Sequence, residues 1–177
     1  AGHHAPRDVG ALAEHAVHPE AHAHVAPLGL EVDVGGAVLD PLGNAVHTTQ
    51  VTDLSGKSVA VLGYGPIGAM GAEIARISGA SRIAITEVNA QAAAHARRWA
   101  QARKRGHVTV IELPKTKDPV GTLREATGGG ADVVLELSGA EPSINLALAA
   151  ARPGAVIALL GLPREKAVTI RDYTNDF

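Results

Sequence analysis

The sequence reads Gly63-Tyr64-Gly65-Pro66-Ile67-Gly68 directly after the apolar run Ser58–Leu62. Apolar residues from Ile67 to Ile77 then recur at the spacing of one helical face. Pro66 suits the first turn of that helix, because its missing N–H would have no intrahelical partner there. A G-x-G-x-x-G turn between a strand and a helix is typical of a site for the pyrophosphate of a dinucleotide.

Each glycine of this turn has a physical role. Gly63 allows the tight turn out of the strand, and Gly65 lets the backbone approach the pyrophosphate. Gly68 lets the helix lie close to the sheet. The helix that begins near Pro66 would offer its N–H groups and its positive dipole end to the anion. An ordinary strand–turn–helix connection is the alternative reading of the same pattern.

Glu87 comes nineteen residues after Gly68, at the end of a second apolar run. A carboxylate there can accept hydrogen bonds from the adenosine ribose and would repel a 2′-phosphate. No Arg or Lys lies between Arg82 and Arg97 to bind such a phosphate. The sequence therefore predicts NAD as the cofactor rather than NADP, with a solvated strand-end residue as the alternative for Glu87.

The rest of the chain alternates strand-like and helix-like segments. Continuous apolar runs predict strands buried on both faces of a parallel sheet, at Val59–Leu62, Arg82–Thr86, Val108–Ile111, Val133–Leu137 and Val156–Leu160. Helices are expected to begin at Asn89, Asp118-Pro119 and Glu141-Pro142, with turns at Gly128–Gly130 and Arg152–Gly154. The order βαβαβαβαβ predicts an α/β fold with a doubly wound parallel sheet.

Composition excludes several classes of protein. The chain has 177 residues, 46% of them hydrophobic, and a formal net charge of −2, which gives no reason to expect nucleic acid or a membrane surface as a partner. No apolar run reaches the length of a membrane span, and no cleavable signal is evident. A cytoplasmic protein is expected, without disulfides because the chain contains no cysteine.

Residues 1–38 differ from the rest, since they carry six of the nine histidines. His3-His4 and His22-x-His24 could chelate a metal ion, because neutral imidazole suits zinc, copper or nickel. No acid or thiol at a suitable spacing completes such a site. A solvated, histidine-biased segment is the favoured reading.

Four segments resemble the zinc-type, medium-chain alcohol dehydrogenase superfamily, and most nearly its L-threonine 3-dehydrogenase branch. They are Asp40–Thr48 (DPLGNAVHT), the Gly63–Gly68 turn, Leu135–Gly139 (LELSG) and Leu159–Pro163 (LLGLP). The resemblance implies a Rossmann coenzyme domain and a catalytic domain, with zinc between them. It also implies NAD-dependent oxidation of a secondary alcohol, with L-threonine converted to 2-amino-3-oxobutanoate.

The resemblance assigns roles to individual residues. Those that match the pyrophosphate loop are Gly63, Gly65, Pro66, Ile67 and Gly68. Glu87 matches the ribose acid, Ser138 and Leu162 match positions beside the nicotinamide half, and Asn44 would lie near the nicotinamide. Asp40 matches an acidic position that can approach the zinc. His47 could serve a proton relay, although a single His on an apolar helix is more often structural.

The departures from the family pattern bear on catalysis. The early Cys and the Gly-His-Glu sequence that bind catalytic zinc are absent from the sequence. Residues 1–38 are interpreted as a remnant of the β-rich, GroES-like catalytic domain with a linker, and residues 39–177 as the NAD-binding Rossmann domain without its last strand. Zinc is therefore not expected on this chain alone, and a homo-oligomer is expected because an unpaired edge strand invites association. A non-catalytic NAD-binding module, or a truncated or engineered chain, is the alternative.

Overall fold

The fold was taken from a computed structural model, which describes residues 32–102, 107–164 and 167–171. Its centre is a five-stranded, entirely parallel sheet in the order β3-β2-β1-β4-β5. The strands are β1 (Ser58–Leu62), β2 (Arg82–Glu87), β3 (Val108–Glu112), β4 (Ala131–Glu136) and β5 (Ala151–Leu159). The helices are α1 (Val32–Thr49), α2 (Pro66–Ile77), α3 (Ala90–Ala102), α4 (Pro119–Thr127) and α5 (Glu141–Ala150). The predicted doubly wound α/β architecture is confirmed.

Helices cover both faces of this sheet. On one face, Val61, Ile85 and Leu135 pack with residues of α2 and α3. On the other face, Leu62 and Val134 pack with residues of α4 and α5. Every residue of β1 is buried, which is why the central strands read as continuous apolar runs instead of alternating ones.

Helix starts follow the capping residues that the sequence predicted. The Asn89 side chain accepts hydrogen bonds from the amides of Gln91 and Ala92 at the start of α3. Asp118 caps α4 in the same way, through the amide of Gly121. The run Arg103-Lys104-Arg105-Gly106, which predicts a basic helix end closed by a glycine, lies outside the described residues.

The predicted turn at Arg152–Gly154 is wrong, because β5 already begins at Ala151. The pairing of β4 with β5 shifts register between Ala131 and Val133, and Gly154 adopts a φ of 77°. An irregular strand start accommodates the glycine and the preceding proline without ending the pairing. The strand is therefore longer than the Pro-Gly pair suggested.

Helix α1 carries His47 and also contains Pro41, although a proline normally ends or kinks a helix. This helix also runs across the expected domain boundary between residues 38 and 39. The proposed catalytic-domain remnant and the N-terminal histidines lie almost entirely outside the described residues. In the part of the chain that is described, no helix is both long and apolar enough to cross a membrane.

Candidate dinucleotide-binding site

A cavity of about 830 Å³ opens at the carboxyl ends of the strands. The chain passes from β1 to β2 on one side and returns to β4 on the other, so the strand order reverses between β1 and β4. Ligands of open parallel sheets bind in the crevice at such a switch point. The residues that line the cavity from the strand ends and the turns after them include Gly63, Gly65, Thr86, Glu87, Leu137 and Ser138.

The glycine turn is held between the neighbouring strands and is closely packed. Gly63 donates its N–H to the carbonyl of Thr86 at 2.9 Å and has a φ of 94°, a conformation that favours glycine. A Cβ on Gly63 would also lie 3.2 Å from the Cβ of Ser138. A Cβ on Gly68 would collide with the carbonyl oxygen of Gly63. Gly68 therefore allows α2 to lie close to the turn.

Gly65 differs from the other two glycines, because a Cβ there would meet no atom within 4 Å. It is the N-cap residue of α2, with no side-chain cap, and the first turn of the helix carries no acid. The N–H groups of a first helical turn have no intrahelical partners. Open space next to uncapped amides and the positive end of the helix dipole suits an anion.

Glu87 is only 8% exposed, although it ends β2 at the rim of the cavity. One carboxylate oxygen accepts the amide of Tyr64 at 2.6 Å. The other oxygen accepts the amides of Val88 and Asn89, both at 2.8 Å. A carboxylate offers about four acceptor positions, so three amides leave about one position on Glu87. Glu87 thus supports the glycine turn as well as facing the cavity, a role that the sequence did not indicate.

Tyr64 belongs to the glycine turn, and it is buried. Its ring centroid is 6.3 Å from that of Trp99 on α3. The Trp99 indole donates to a carboxylate oxygen of Glu73 at 3.0 Å, and Arg76 forms an ion pair with the same carboxylate. These contacts connect the turn to α2 and α3. Sequence reasoning missed Tyr64, although its position between two glycines in a chain with only two tyrosines was a usable signal.

Glu136 is fully buried at the end of β4 and was also missed. It accepts the Ser138 hydroxyl at 2.6 Å and the Ser138 amide at 3.1 Å. It further accepts the amide of Gly139. The carboxylate therefore fixes the turn that carries Ser138 into the wall of the cavity. A glutamate directly after the apolar run Val133–Leu135 was the available signal.

Leu162 does not line the cavity, and its side chain is 89% exposed. Its backbone approaches Gly139 so closely that a Cβ on Gly139 would collide with the Leu162 carbonyl. The backbone of Leu162 therefore packs against the turn after β4, whereas its side chain points into solvent. Arg171, which the sequence did not single out, lies in the cavity wall.

Asp40, Asn44 and His47 lie on α1 and are not among the described residues that line the cavity. The Asn44 amide donates to the carbonyl of Asp40 at 3.1 Å, and both Asp40 and His47 are exposed. Within residues 32–102, 107–164 and 167–171, no three His, Asp or Glu side chains are grouped so as to hold a metal ion.

Known proteins resemble this chain in sequence and in fold. The family model for zinc-binding dehydrogenases matches residues 66–175. An L-threonine 3-dehydrogenase from Symbiobacterium thermophilum is 40% identical over 155 residues, covering 87% of this chain and 42% of that protein. The chain therefore spans less than half the length of this relative.

Two solved structures share the fold. Alcohol dehydrogenase TADH from Thermus sp. ATN1 aligns with a TM-score of 0.67 and 29% identity, covering 77% of this chain and 38% of that one. A zinc-binding dehydrogenase from Sinorhizobium meliloti 1021, bound to NADP, aligns with a TM-score of 0.66 and 27% identity. That alignment covers 82% of this chain and 42% of the Sinorhizobium chain.

Proposed function

The chain belongs to the zinc-binding dehydrogenase family, and from this premise we propose that residues 39–177 form the NAD(H)-binding part of an oxidoreductase. The proposed reaction is oxidation of a secondary alcohol, with L-threonine as substrate and 2-amino-3-oxobutanoate as product. The similarity to L-threonine 3-dehydrogenase supports this choice of substrate. The observation that carries the cofactor assignment is the cavity at the strand-order switch point, with open space above Gly65 and the Glu87 carboxylate at its rim.

The residues present fit a dinucleotide. The uncapped start of α2 would bind the pyrophosphate through backbone amides such as that of Ile67, and Gly65 leaves room for its oxygens. Glu87 would accept a ribose hydroxyl, and its negative charge would oppose a 2′-phosphate. Ser138, held by Glu136, would contact the nicotinamide half. Bound NAD would supply the acceptor for the hydride that leaves the alcohol carbon.

The described residues do not fit a catalytic zinc ion. They contain no cluster of three His, Asp or Glu, and the sequence has no cysteine to supply a thiolate. Asp40 alone would be one ligand at most. No zinc-dependent step is therefore assigned to these residues, and the chain by itself is expected not to turn over L-threonine.

A second function, binding of NAD without chemistry, is favoured by the same lack of zinc ligands. Both functions require binding of the dinucleotide. A binding measurement therefore tests both, and an activity measurement is needed to distinguish them. The first is calorimetric titration with NAD, which should give a weak but measurable binding heat. Protein that is folded by circular dichroism but gives no heat with NAD would contradict the cofactor assignment.

The second measurement follows NADH absorbance with L-threonine and added zinc. The isolated chain should form no NADH. NADH formation by pure protein would mean that the chain itself contains the catalytic groups, and would exclude the function of binding alone. A longer chain that includes Cys and Gly-His-Glu ligands and forms NADH would favour the dehydrogenase.

A further inference from the structure

Glu112 is a buried acid that the proposed cofactor site does not use. It ends β3, is 7% exposed, and is paired in register with Glu87 at the end of β2. Neighbouring strands lie about 4.8 Å apart, and paired residues of parallel strands point to the same face. Ile85 and Val110, each two residues earlier, both belong to the apolar cluster on the α2 and α3 side. Glu87 and Glu112 are therefore adjacent residues on one face, at the carboxyl ends of β2 and β3.

Two cations hold the Glu112 carboxylate. The Lys115 ammonium lies 2.9 Å from one oxygen, and the Arg97 guanidinium lies 2.8 Å from the other. Hydrogen bonds from Lys115 and then Arg97 lower the pKa of the Glu112 carboxyl below its usual value, so it is ionised at neutral pH. Both oxygens of Glu112 thus have a cationic partner.

Arg97 is the first cation that follows Arg82 in the sequence, and it comes ten residues after Glu87. Its side chain extends from α3 to the carboxyl end of β3 and remains 42% exposed, while that of Lys115 is 73% exposed. Both groups are accessible to an anion from solvent. Their ion pairs with Glu112 engage both groups at the carboxyl end of β3.

We propose that Glu112 is a specificity-determining residue, which favours NAD over NADP by holding Arg97 and Lys115 away from a 2′-phosphate. This inference rests on the proposed binding of a dinucleotide with its ribose at Glu87. The formal charges of Glu87, Glu112, Arg97 and Lys115 cancel. Loss of the Glu112 charge leaves one net positive charge and two cations without this carboxylate partner, one strand away from Glu87. A phosphate carries a charge of about −1.5 to −2 at neutral pH and pairs strongly with Arg.

The same fold accepts NADP in the Sinorhizobium dehydrogenase, so the architecture itself does not exclude a 2′-phosphate. Exclusion must come from charges around the ribose. Glu87 supplies a repulsive charge, and Glu112 removes the attractive ones. The two acids therefore make separable contributions to selectivity.

The test is calorimetric titration of wild type and Glu112→Gln with NAD and with NADP. Glu112→Gln should bind NADP about tenfold more tightly than wild type, corresponding to one charge-assisted hydrogen bond, while NAD affinity changes less than about twofold. The triple variant Glu112→Gln, Arg97→Met, Lys115→Met should bind NADP with the affinity of the wild type. If Glu112 had only a structural role, Glu112→Gln would lower the affinity for both nucleotides. Removal of the two cations would then not restore the wild-type affinities.

Glu125→Gln provides the matched control, because Glu125 is an exposed acid on α4 and does not line the cavity. It should leave the ratio of NADP to NAD affinity unchanged. Glu112→Leu gives a second variant if Glu112→Gln is unstable, since an apolar side chain leaves no unpaired polar group at this buried position. An unchanged ratio in a folded Glu112 variant that still binds NAD would overturn this inference alone. Absence of NAD heat in the wild type would overturn the proposed function as well.

Discussion

Glu87 combines two tasks in one carboxylate. It accepts three backbone amides around the glycine turn, and it lies at the rim of the cavity. Hydrogen bonds to a charged group contribute about 1.5–3 kcal/mol each, so the turn depends on this side chain. A ribose at Glu87 would therefore bind to an acceptor whose orientation the backbone has already set.

Replacement of Glu87 by alanine should raise the Kd for NAD by about tenfold, because the ribose loses its charged acceptor. It should also narrow the preference for NAD over NADP, because the charge that opposes the 2′-phosphate is gone. Calorimetric titration with both nucleotides measures this ratio. Glu125→Ala is the control, as it removes an exposed acid from α4. An unchanged ratio in folded Glu87→Ala would count against Glu87 as the ribose acid.

Substitution by alanine is expected to affect stability at Gly68 but NAD binding at Gly65. Gly68→Ala should reduce the free energy of unfolding by about 1–3 kcal/mol, because the new Cβ collides with the Gly63 carbonyl. Gly65→Ala should change it by less than about 0.5 kcal/mol, since its Cβ meets open space. The Gly65 variant should instead bind NAD at least about tenfold more weakly, because the Cβ occupies room needed by the pyrophosphate.

Urea unfolding and NAD titration of both variants separate the two roles. The outcome that contradicts the proposed site is a Gly65→Ala protein that is stable and binds NAD as tightly as the wild type. A Gly68→Ala protein of wild-type stability would contradict the close packing of α2 against the turn.

Residues can be recognised from the sequence when their proposed roles follow from local spacing. The Gly63–Gly68 turn and Glu87 are recognisable because their spacing along one strand–turn–helix unit is fixed. Glu136 and Glu112 could not be assigned, because their roles depend on which strands become neighbours and in what register. The partners of Glu112 come from α3 and from the turn after β3, so no single segment of sequence contains the cluster.

At the scale of secondary structure, helices begin at the predicted capping residues, whereas two prolines lie inside elements that a local rule would exclude. Asn89 and Asp118 begin helices as expected. Pro41 lies inside α1, and Pro153 lies inside β5, which begins at Ala151. Proline signals are probabilistic because the surrounding structure can supply the contacts that a missing N–H removes.

Strands β1, β4 and β5 are joined at the amino end of the sheet by a polar cluster. Asp132 accepts the Ser58 amide at 2.8 Å and the Ser58 hydroxyl at 2.7 Å, and it forms an ion pair with Arg152. Burial would raise the pKa of the Asp132 carboxyl, but the Ser58 hydrogen bonds and the Arg152 charge outweigh burial and lower it. A lowered pKa in the folded state stabilises the fold above the unfolded-state pKa, and this stabilisation is lost as pH falls through the folded-state pKa.

Asp132→Asn should therefore reduce the free energy of unfolding by about 1–3 kcal/mol at pH 7. The difference from wild type should shrink as pH falls below the ordinary pKa of an aspartate, near 3.8. Urea unfolding at pH 7 and at pH 3 measures both effects. Asp53→Asn is the control, because Asp53 is exposed and its one hydrogen bond, from the Ser55 amide, can also be accepted by asparagine. A difference that does not depend on pH would contradict the ionic role of Asp132.

At the scale of the whole molecule, the strand order creates both the cavity and the two sheet edges. Among the described residues, β3 and β5 form those edges. Val156 and Leu159 of β5 are exposed. Unpaired backbone groups next to exposed apolar side chains favour association with another chain.

We expect the protein to form a homo-oligomer in solution, which light scattering after size-exclusion chromatography can measure. Leu159→Lys should shift the protein toward the monomer, because a lysine on an edge strand opposes edge pairing. Lys117→Leu, at an exposed position away from β5, should leave the mass unchanged. A wild-type protein that is monomeric at all concentrations would contradict this expectation.

The contact between Tyr64 and Trp99 has a practical consequence. Trp99 is the only tryptophan of the chain, and Tyr64 lies between two glycines of the glycine turn. Indole emission responds to the polarity and movement of its surroundings, and a tyrosine at this distance can transfer its excitation to the indole. The protein thus carries an intrinsic fluorophore beside the turn, so its emission spectrum can report on the state of the turn without a label.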